Sequence, residues 1–481
     1  MLVTSYASTA VLLATGMGSI FPVVRMSYPG QEAKANDLMT FPALFMGIGN
    51  FISMPLALSV GRRPVFLGSV LLLAITALWC ALSDSLISHI TGRNFLSMAA
   101  GQSEALVPMM VQEIFFLHER GTKISWFISI QNVLSAGFAM ATTYMVASWG
   151  WRWWYGFFSV INGLLFIVAW FWVSETGYDR SASDLLGHPR EEEVTKVGVD
   201  VKHIEAVDGV RFTTFSSAQR PHARWSVRDL RLITKRNQDW SQVVTFYKHF
   251  ALGFLLPAML WNLLVNGAYL GLYVFQASTF AQVLLAPPYS FAFTSLGYVQ
   301  AAQVLVTVVF LPLLGYGGDW VIKFMSKRNN GIFEPEYRLL PLAGPTIVAV
   351  ISAVMYGQAA ANPTDYSWGT VAVTYNATFF GFLGANIVGI TYAIDSFPTR
   401  AGPLLVVICA GRGLISFGLA YSVLPAITAM GYDGAMVVEA TIAGGLTLLA
   451  IPVYIWGAKL RLLADRWFQF GSSATKPSEQ A

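Results

Sequence analysis

The sequence has little charge. Only 12% of its 481 residues are Asp, Glu, Lys or Arg, whereas 55% are hydrophobic; an ordinary soluble domain has roughly 25% charged residues. Its two cysteines, Cys80 and Cys409, lie far apart in apolar stretches, which excludes a disulfide framework and a cysteine metal cluster. The formal net charge is only +4, and there is no basic patch with interleaved aromatic residues. Nucleic-acid binding is therefore not expected.

The motifs of several other functional classes are missing too. No Gly-x-x-x-x-Gly-Lys-Ser/Thr loop is present to hold a nucleotide, which excludes a primary pump. The six histidines are scattered, and only His89 borders an apolar run, so neither a membrane enzyme nor a bound metal or cofactor is predicted. A channel would need a pore-lining filter, usually formed by oligomerisation around a symmetry axis, whereas two similar halves within one chain favour a self-contained carrier.

Long apolar runs recur from end to end, and a helix needs about 20 mainly apolar residues to cross a bilayer. Twelve spans are predicted, near 3–24, 38–60, 64–83, 86–116, 125–147, 155–173, 251–276, 290–314, 339–358, 369–396, 402–426 and 435–457. The expected fold class is an all-α membrane protein of two six-helix halves. Its predicted parts are an N-terminal half (1–173), a cytoplasmic central loop (174–250), a C-terminal half (251–457) and a cytoplasmic tail (458–481).

The basic residues indicate the orientation. If the N-terminus is cytoplasmic, most of the 30 Lys and Arg residues lie in inner loops, as the positive-inside rule requires. Trp149, Trp151, Trp153, Trp154 and Tyr155 crowd the proposed outer end of the fifth and sixth spans, where amphipathic rings prefer the headgroup level. We expect a monomer in the plasma membrane with both termini in the cytoplasm.

Related loop motifs occur in both halves. The first half has Gly61-Arg62-Arg63 between its second and third spans, and the second half has Gly315-Tyr316-Gly317-Gly318-Asp319 at the corresponding place. Other segments strengthen the pattern: Ser103–Pro108, Glu113–Gly121, Gly150–Trp153, Ser174–Arg180, Arg328–Gly331 and Glu334–Leu339.

Together these segments resemble the major facilitator superfamily. Within it, they are similar to the fungal drug:proton antiporter-like branch and to the subgroup of the yeast histidinol and polyamine permease. The resemblance implies a proton-driven carrier that works by alternating access. The sequence departs from the family at Met54 and Leu58, where the loop signature has glycine and aspartate, and at 135–140, which lacks the Gly-Pro-rich antiporter pattern.

Glu104, in the fourth span, is the leading candidate for transport. On a continuous helix, Arg93, Ser97, Gly101, Glu104 and Pro108 would lie within about 80° of one another and form one polar stripe. An ionisable group at membrane depth is costly, which makes it a functional hypothesis. We hypothesise that Glu104 takes up and releases a proton and contacts the solute. The alternative is a structural carboxyl that holds two helices together.

The seventh span has a second polar stripe. Asn262, Asn266, Tyr269 and Tyr273 share one face within about 60° on a helix. These side chains are predicted either to bind a solute or to make interhelical hydrogen bonds within one half. Weaker candidates for the solute site are Gln131, Gln300, Gln303, Tyr375, Asn386 and Arg412.

Charges near the inner ends of the spans are candidate gates. Glu113 is predicted to pair with Arg62 or Arg63, and Asp319 with Arg400 or with a helix N-terminus. Plain interfacial salt bridges are the alternative for these charges.

Arg412 lies near mid-depth in the eleventh span and is predicted to meet an anionic solute or a carboxylate such as Asp395. The expected function is proton-coupled efflux of a small organic compound, such as a drug or secondary metabolite. Uptake of a polyamine-like cation, with Glu104 as its counter-charge, is the second hypothesis. A non-transporting receptor of the same fold is the third.

Overall fold

The computed structural model describes residues 2–114, 117–176, 204–207, 210–213, 240–329, 334–396 and 401–471. Nine helices precede the central loop: α1 (Leu2–Thr15), α2 (Met17–Met26), α3 (Glu32–Ala35), α4 (Asp37–Ser59), α5 (Arg62–Ala81), α6 (Leu86–Ala100), α7 (Leu106–Ile114), α8 (Leu117–Trp149) and α9 (Trp151–Trp172). Within the central loop, strands β1 (Ile204–Val207) and β2 (Val210–Thr213) form an antiparallel pair.

Eight described helices follow: α10 (Ser241–Leu255), α11 (Pro257–Leu285), α12 (Leu296–Leu305), α13 (Leu311–Arg328), α14 (Ala343–Ala361), α15 (Trp368–Ser396), α16 (Ala401–Leu448) and α17 (Ala450–Gly471). Short 3-10 segments cover Phe293–Ser295 and Pro335–Leu342, and a π-helical turn at Val306–Phe310 joins α12 to α13. Helix α16 turns at Gly431, which has a φ of 74°, a conformation that glycine adopts readily. Its two arms therefore correspond to the eleventh and twelfth predicted spans.

Most predicted spans lie within a few residues of observed helices. Eight described segments are long and apolar enough to cross a membrane, or nine when α1 and α2, bent by 43°, are taken as one span. The main shift is at the seventh span, predicted at 251–276, because Pro257 begins α11 and separates it from α10. Proline favours the first position of a helix, where its missing N–H has no intrahelical role.

Each half has its own apolar core. One core contains residues from Tyr6 to Val173, and the other contains residues from Leu256 to Val453. Phe246, Val406 and Ala410 also belong to the first core, although they follow the central loop. Large apolar side chains are exposed on the outside of the helices, as in the cases of Ile75, Val160 and Val373. Lipid would cover such surfaces in a membrane protein.

The two halves meet closely where α4 crosses α16. A Cβ atom at Gly47 would lie 2.7 Å from the carbonyl oxygen of Ala410, and one at Gly413 would lie 2.6 Å from that of Ala43. Small residues let helix backbones approach this closely inside a membrane. Nearer the predicted outer side, the hydroxyl of Thr143 on α8 donates to the carbonyl of Thr294 at 3.3 Å. The halves are therefore in contact between α4 and α16 and again at Thr143 on α8.

Candidate functional site

The fourth predicted span is broken at Glu104. A 3-10 turn at Gly101–Ser103, followed by Glu104 and Ala105, separates α6 from α7. Pro108 explains the break, because it has no N–H to donate to the carbonyl of Glu104 four residues earlier. The thiol of Cys409 on α16 donates to that carbonyl instead, at 3.7 Å. Glu104 is thus held at a helix interruption that faces the other half.

Glu104 forms an ion pair with Arg412 across the two halves. Nη2 of Arg412 donates to Oε2 of Glu104. The side chain of Arg412 is only 3% exposed, whereas that of Glu104 is 20% exposed. Two opposite charges in such surroundings compensate each other, and either one left alone is costly. The pair therefore joins the N-terminal and C-terminal halves at the break in the fourth span.

The carboxylate that meets Arg412 is Glu104 and not Asp395, the example proposed from the sequence. Asp395 accepts instead from Nε of Arg338 at 2.6 Å. Asp395 lies in the last turn of α15, and Arg338 lies on the 3-10 segment before α14. Asp395 therefore belongs to a separate ion-pair group around Arg338.

Several buried polar atoms near the pair have spare hydrogen-bonding capacity. Across the residues that the structure describes, Nε and Nη1 of Arg412 and the hydroxyl of Ser416, one helical turn further on, have no hydrogen-bond partner. The same holds for both amide atoms of Asn50 on α4, whose Nδ2 lies 3.4 Å from the Cβ position of Gly101. A polar solute that enters between the halves could satisfy these atoms.

Arg93, the other charged residue of the fourth span, has a structural role. Its guanidinium donates to the carbonyls of Leu13 at 3.1 Å, Ala14 at 2.8 Å and Leu38 at 2.7 Å, and to the hydroxyl of Tyr155 at 3.1 Å. Leu13 and Ala14 end α1, where carbonyls lack intrahelical partners. Arg93 therefore caps the broken first span.

The single stripe predicted from Arg93 to Pro108 is wrong. The prediction assumed the same rotation per residue along one continuous α-helix, and the 3-10 turn and the break at Glu104 interrupt that rotation. The two charges of the fourth span consequently have separate surroundings: Arg93 bonds within the N-terminal half, and Glu104 bonds to the C-terminal half.

The stripe on the seventh span lies on a buried face of α11, and most of it bonds to neighbouring helices. Nδ2 of Asn262 donates to the carbonyl of Gly389 on α15 at 2.9 Å. Nδ2 of Asn266 donates to Oδ1 of Asn262 at 2.9 Å, and the hydroxyls of Tyr269 and Thr447 are 3.2 Å apart. The contacts of Asn262 and Tyr269 match the interhelical alternative, whereas that of Asn266 lies within α11.

Tyr273, the last member of that stripe, belongs to a buried cluster of aromatic and amide groups. Its hydroxyl lies 3.3 Å from that of Tyr375 and accepts from Nε2 of Gln303 at 3.2 Å. Its ring stacks on Phe382 with centroids 5.7 Å apart, and Tyr375 stacks on Phe280 at 4.7 Å. This cluster joins α11, α12 and α15 within the C-terminal half.

The remaining predicted solute-site residues are spread over three helices. Gln300 lies beside Tyr375 and is 6% exposed. Oδ1 of Asn386 on α15 has no hydrogen-bond partner among the described residues. Gln131 is half-buried on α8. Whether these side chains touch a solute stays a prediction.

The loop motif of the first half is bound by a residue outside the predicted gate. The carboxylate of Glu175 accepts from the backbone N–H groups of Arg62 at 2.9 Å and Arg63 at 3.2 Å, at the start of α5. Nη2 of Arg63 donates to the carbonyl of Trp170 at 2.7 Å. Gly61 has a φ of 129°, and a side chain there would meet the carboxylate of Glu175. Glu175 therefore caps the helix N-terminus, where a negative charge is stabilised.

Two predicted gate residues lie outside the described part of the structure. They are Arg400 and the side chain of Glu113, so their pairings stay predictions. Gly315 lies on α13, with open space around its Cβ position.

Asp319 pairs with Arg338, which lies on the 3-10 segment that leads into α14. Nη1 of Arg338 is 3.7 Å from Oδ1 of Asp319, and Nε of the same arginine holds Asp395. A further ion pair joins Arg461 on α17 to the buried Glu336 at 3.0 Å. The sequence reasoning missed Glu175, Glu336, Arg338 and Arg461 as charge partners. Glu175, Glu336 and Arg338 lie in motifs that carry the family resemblance. A charged residue inside such a motif was the sequence feature that could have identified these three.

A bundle of membrane-length helices in two cores, joined by an ion pair at a helix break, is the architecture of a membrane carrier. The Major Facilitator Superfamily model matches residues 6–402, and the chain belongs to this family. It is accordingly a non-enzymatic transporter of small solutes. The predicted fold of two six-helix halves is confirmed.

Relatives and solved structures agree with this assignment. The chain is 26% identical over 450 residues to an uncharacterized MFS-type transporter of Schizosaccharomyces pombe, covering 87% of this chain and 76% of the relative. It is 21% identical over 511 residues to Protein HOL1 of Saccharomyces cerevisiae, covering 96% and 85%. The proton:xylose symporter XylE bound to 6-bromo-6-deoxy-D-glucose shares the fold, with a TM-score of 0.58 and 13% identity, covering 95% of both chains. Membership of the drug:proton antiporter branch stays a prediction.

Proposed function

We propose that this transporter is a secondary carrier that couples a small organic solute to the proton gradient by alternating access. The observation that supports the proposal is the ion pair between Glu104 and Arg412, because it joins the two halves that must move relative to each other. Discontinuous helices near the bilayer midplane commonly form the solute and ion sites of such carriers. Glu104 is at such a break.

In this proposal the proton acts by neutralising Glu104. The charged pair stabilises contact between the halves, and breaking a buried pair by removing one partner costs about 3–5 kcal/mol. A proton on Glu104 removes the attraction to Arg412 and lowers the cost of separating the halves. Proton binding and movement are thereby linked.

The pairing counts against one of the solutes considered from the sequence. A polyamine-like cation bound to Glu104 would lie beside the buried guanidinium of Arg412, and like charges repel strongly at low dielectric. Efflux of a drug or secondary metabolite stays a prediction, because direction depends on whether the solute and the proton compete for the pair or bind together. The plasma-membrane location, cytoplasmic termini, domain boundaries, monomeric state and receptor alternative also stay predictions.

The test compares cells that lack the protein, cells that produce it and cells that produce Glu104→Gln. Small molecules are measured inside the cells and in the medium, with and without a protonophore. We expect a solute whose distribution depends on the protein and on the proton gradient, and we expect Glu104→Gln to behave like the deletion at equal protein abundance in the membrane.

Glu439→Gln is the matched control, because Glu439 is another buried carboxyl, 6% exposed, in the twelfth span. It should retain wild-type transport. Protonophore-sensitive transport of normal size in Glu104→Gln would refute the role of this carboxyl in coupling.

A further inference from the structure

Arg412 is bonded on one side only. It is 2% exposed, and its described carboxylate contact is made through Nη2. Nε and Nη1 have no hydrogen-bond partner among the residues that the structure describes. A guanidinium has five N–H donors in a planar fork suited to a carboxylate. Buried donors of this kind normally have partners, so their position between the halves points to an acceptor that arrives with the solute.

The charges around the pair restrict that acceptor. Helices α4 and α11 have no charged residue between Leu38 and Ser59 or between Pro257 and Leu285. On the eleventh-span arm of α16, Arg412 is the only charged residue. Within the described part of the chain, the groups coupled electrostatically to Arg412 are Glu104 and Cys409. The pair is therefore a locally neutral unit in surroundings of low charge.

Several other titratable groups on the neighbouring helices have bonding partners of their own. Arg93 is bonded to backbone carbonyls, and His89 lies between the hydroxyls of Tyr28 and Tyr155. Lys248 and His249 on α10 have partners, and the side chain of Glu113 lies outside the described residues. Among the phenols, the hydroxyl of Tyr6 donates to the carbonyl of Ala99 on α6, and that of Tyr269 lies 3.2 Å from Thr447 on α16; phenols are uncharged near pH 7. Glu439 is buried on the twelfth-span arm of α16, beyond the turn at Gly431.

Local charge balance then separates the possible solute classes. A proton on Glu104 leaves the guanidinium of Arg412 without a counter-charge. An added cation makes the imbalance worse, and an uncharged solute leaves it unchanged. A carboxylate restores neutrality and occupies the free donors. Since a buried unpaired charge is strongly unfavourable, the proton and a carboxylate favour each other's binding.

We propose that the solute carries a carboxylate that binds Arg412 when Glu104 is protonated, so that one proton and one anionic group cross together. This rests on the proposed function. A proton from the side of higher proton concentration binds Glu104 and releases Nη2 of Arg412. The solute carboxylate then accepts from the guanidinium, and Ser416 supplies a further unpartnered hydroxyl one turn away. On the opposite side the carboxylate and the proton leave, and the ion pair forms again.

The mechanism has two consequences. A monocarboxylate and one proton together carry no net charge, so transport is electrically silent. The solute moves in the direction of the proton, which means uptake under an inward gradient and reverses the efflux direction expected from the sequence.

The first test measures binding to the purified full-length protein in detergent at pH 5.5 and pH 8. The probes are three matched sets of small organic molecules: carboxylates, the corresponding amides and the corresponding amines. We expect stabilisation against heat by members of the carboxylate set, at least tenfold tighter at pH 5.5 than at pH 8. Stabilisation by amides or amines without any carboxylate, or by no probe in the carboxylate set, overturns the inference.

Two variants link the binding to Arg412. Arg412→Lys keeps the charge but loses the planar fork, and it should weaken carboxylate binding at least tenfold. The double variant Glu104→Gln/Arg412→Gln removes both charges together, which avoids an unpaired buried ion, and it should abolish carboxylate binding at either pH. Unchanged carboxylate affinity in a folded double variant overturns the inference.

The second test separates this inference from the proposed function. A carboxylate that binds is loaded into proteoliposome assays with an imposed pH gradient and with an imposed membrane potential. Accumulation driven by the pH gradient and insensitive to the potential supports both proposals. If amides or amines are transported with proton coupling that depends on Glu104, the solute class is wrong and the proposed function stands. If transport is indifferent to the pH gradient and to Glu104→Gln, the proposed function fails as well.

Discussion

The two members of the central ion pair should differ in what their removal costs. Glu104→Gln leaves the guanidinium of Arg412, 3% exposed, without a counter-charge. Breaking a buried pair in this way is expected to cost about 3–5 kcal/mol. Arg412→Gln leaves Glu104, which is 20% exposed and can also lose its charge by taking a proton. We expect a smaller loss of stability for Arg412→Gln, and that loss should shrink as the pH is lowered.

The double variant tests whether the two effects share one cause. Glu104→Gln/Arg412→Gln has no buried charge at this place, and two amides can bond to each other. It should be more stable than Glu104→Gln alone, with a coupling of about 1–3 kcal/mol between the two positions. If the two residues do not interact, the double variant should lose as much unfolding free energy as the two single variants lose together.

The chain offers its own reporter for this experiment. Cys80 and Cys409 are both buried, so a thiol-reactive dye reports unfolding as the protein is heated in detergent. Cys409 contacts Glu104, and the measurement is therefore made in a Cys409→Ser background, in which only Cys80 in the N-terminal core reacts. Equal losses in the two single variants, a larger loss in Arg412→Gln, or strict additivity in the double variant would refute the reasoning.

Three further predictions concern helix ends and breaks. Arg93→Met should lower the free energy of unfolding by at least about 3 kcal/mol, since each orphaned carbonyl costs about 1–3 kcal/mol; the dye assay should show little change for Arg328→Met, an exposed arginine at the end of α13. Glu175→Ala should lose about 1 kcal/mol of helix capping, and Glu175→Gln, which keeps an acceptor, should lose less; equal losses would contradict a capping role. Pro108→Ala restores an N–H that can reach the carbonyl of Glu104, so proteoliposome transport should slow at unchanged protein abundance; wild-type rates would contradict a functional break.

Features that depend on neighbouring residues were predictable from the sequence. The spans follow from the length of the apolar runs, and Gly61 and Gly431 occupy positions with positive φ that glycine tolerates best. The seventh-span stripe lies on one buried face of α11, as helical periodicity requires. Pro108 is a local sign of the break in the fourth span, because proline lacks the N–H of a regular helix. The predicted stripe nevertheless assumed a regular helix through this position.

Contacts between distant elements were not predictable in the same way. Cys409 reaches the carbonyl of Glu104 across 305 positions, and Arg412 reaches its carboxylate on the same face. No periodicity within one helix indicates which helix of the other half it meets. For Arg93 the need for a partner was clear, yet its partners are backbone carbonyls that became available only because the first span bends by 43°.

The positions of the two charges suit a coupling element. Arg412 lies on a continuous arm of α16 that is fixed against α4 by the contact of Gly413 with Ala43. Glu104 lies where the fourth span has already lost a backbone hydrogen bond, so its surroundings can rearrange without breaking another helical bond. The contact between them is made through Nη2. With only the proton or only the anion bound, one buried charge at this place is left without a counter-charge, whereas the empty ion pair and the doubly loaded site leave none. The singly loaded carrier is therefore disfavoured, and movement of only the empty and doubly loaded carriers is the condition for tight coupling.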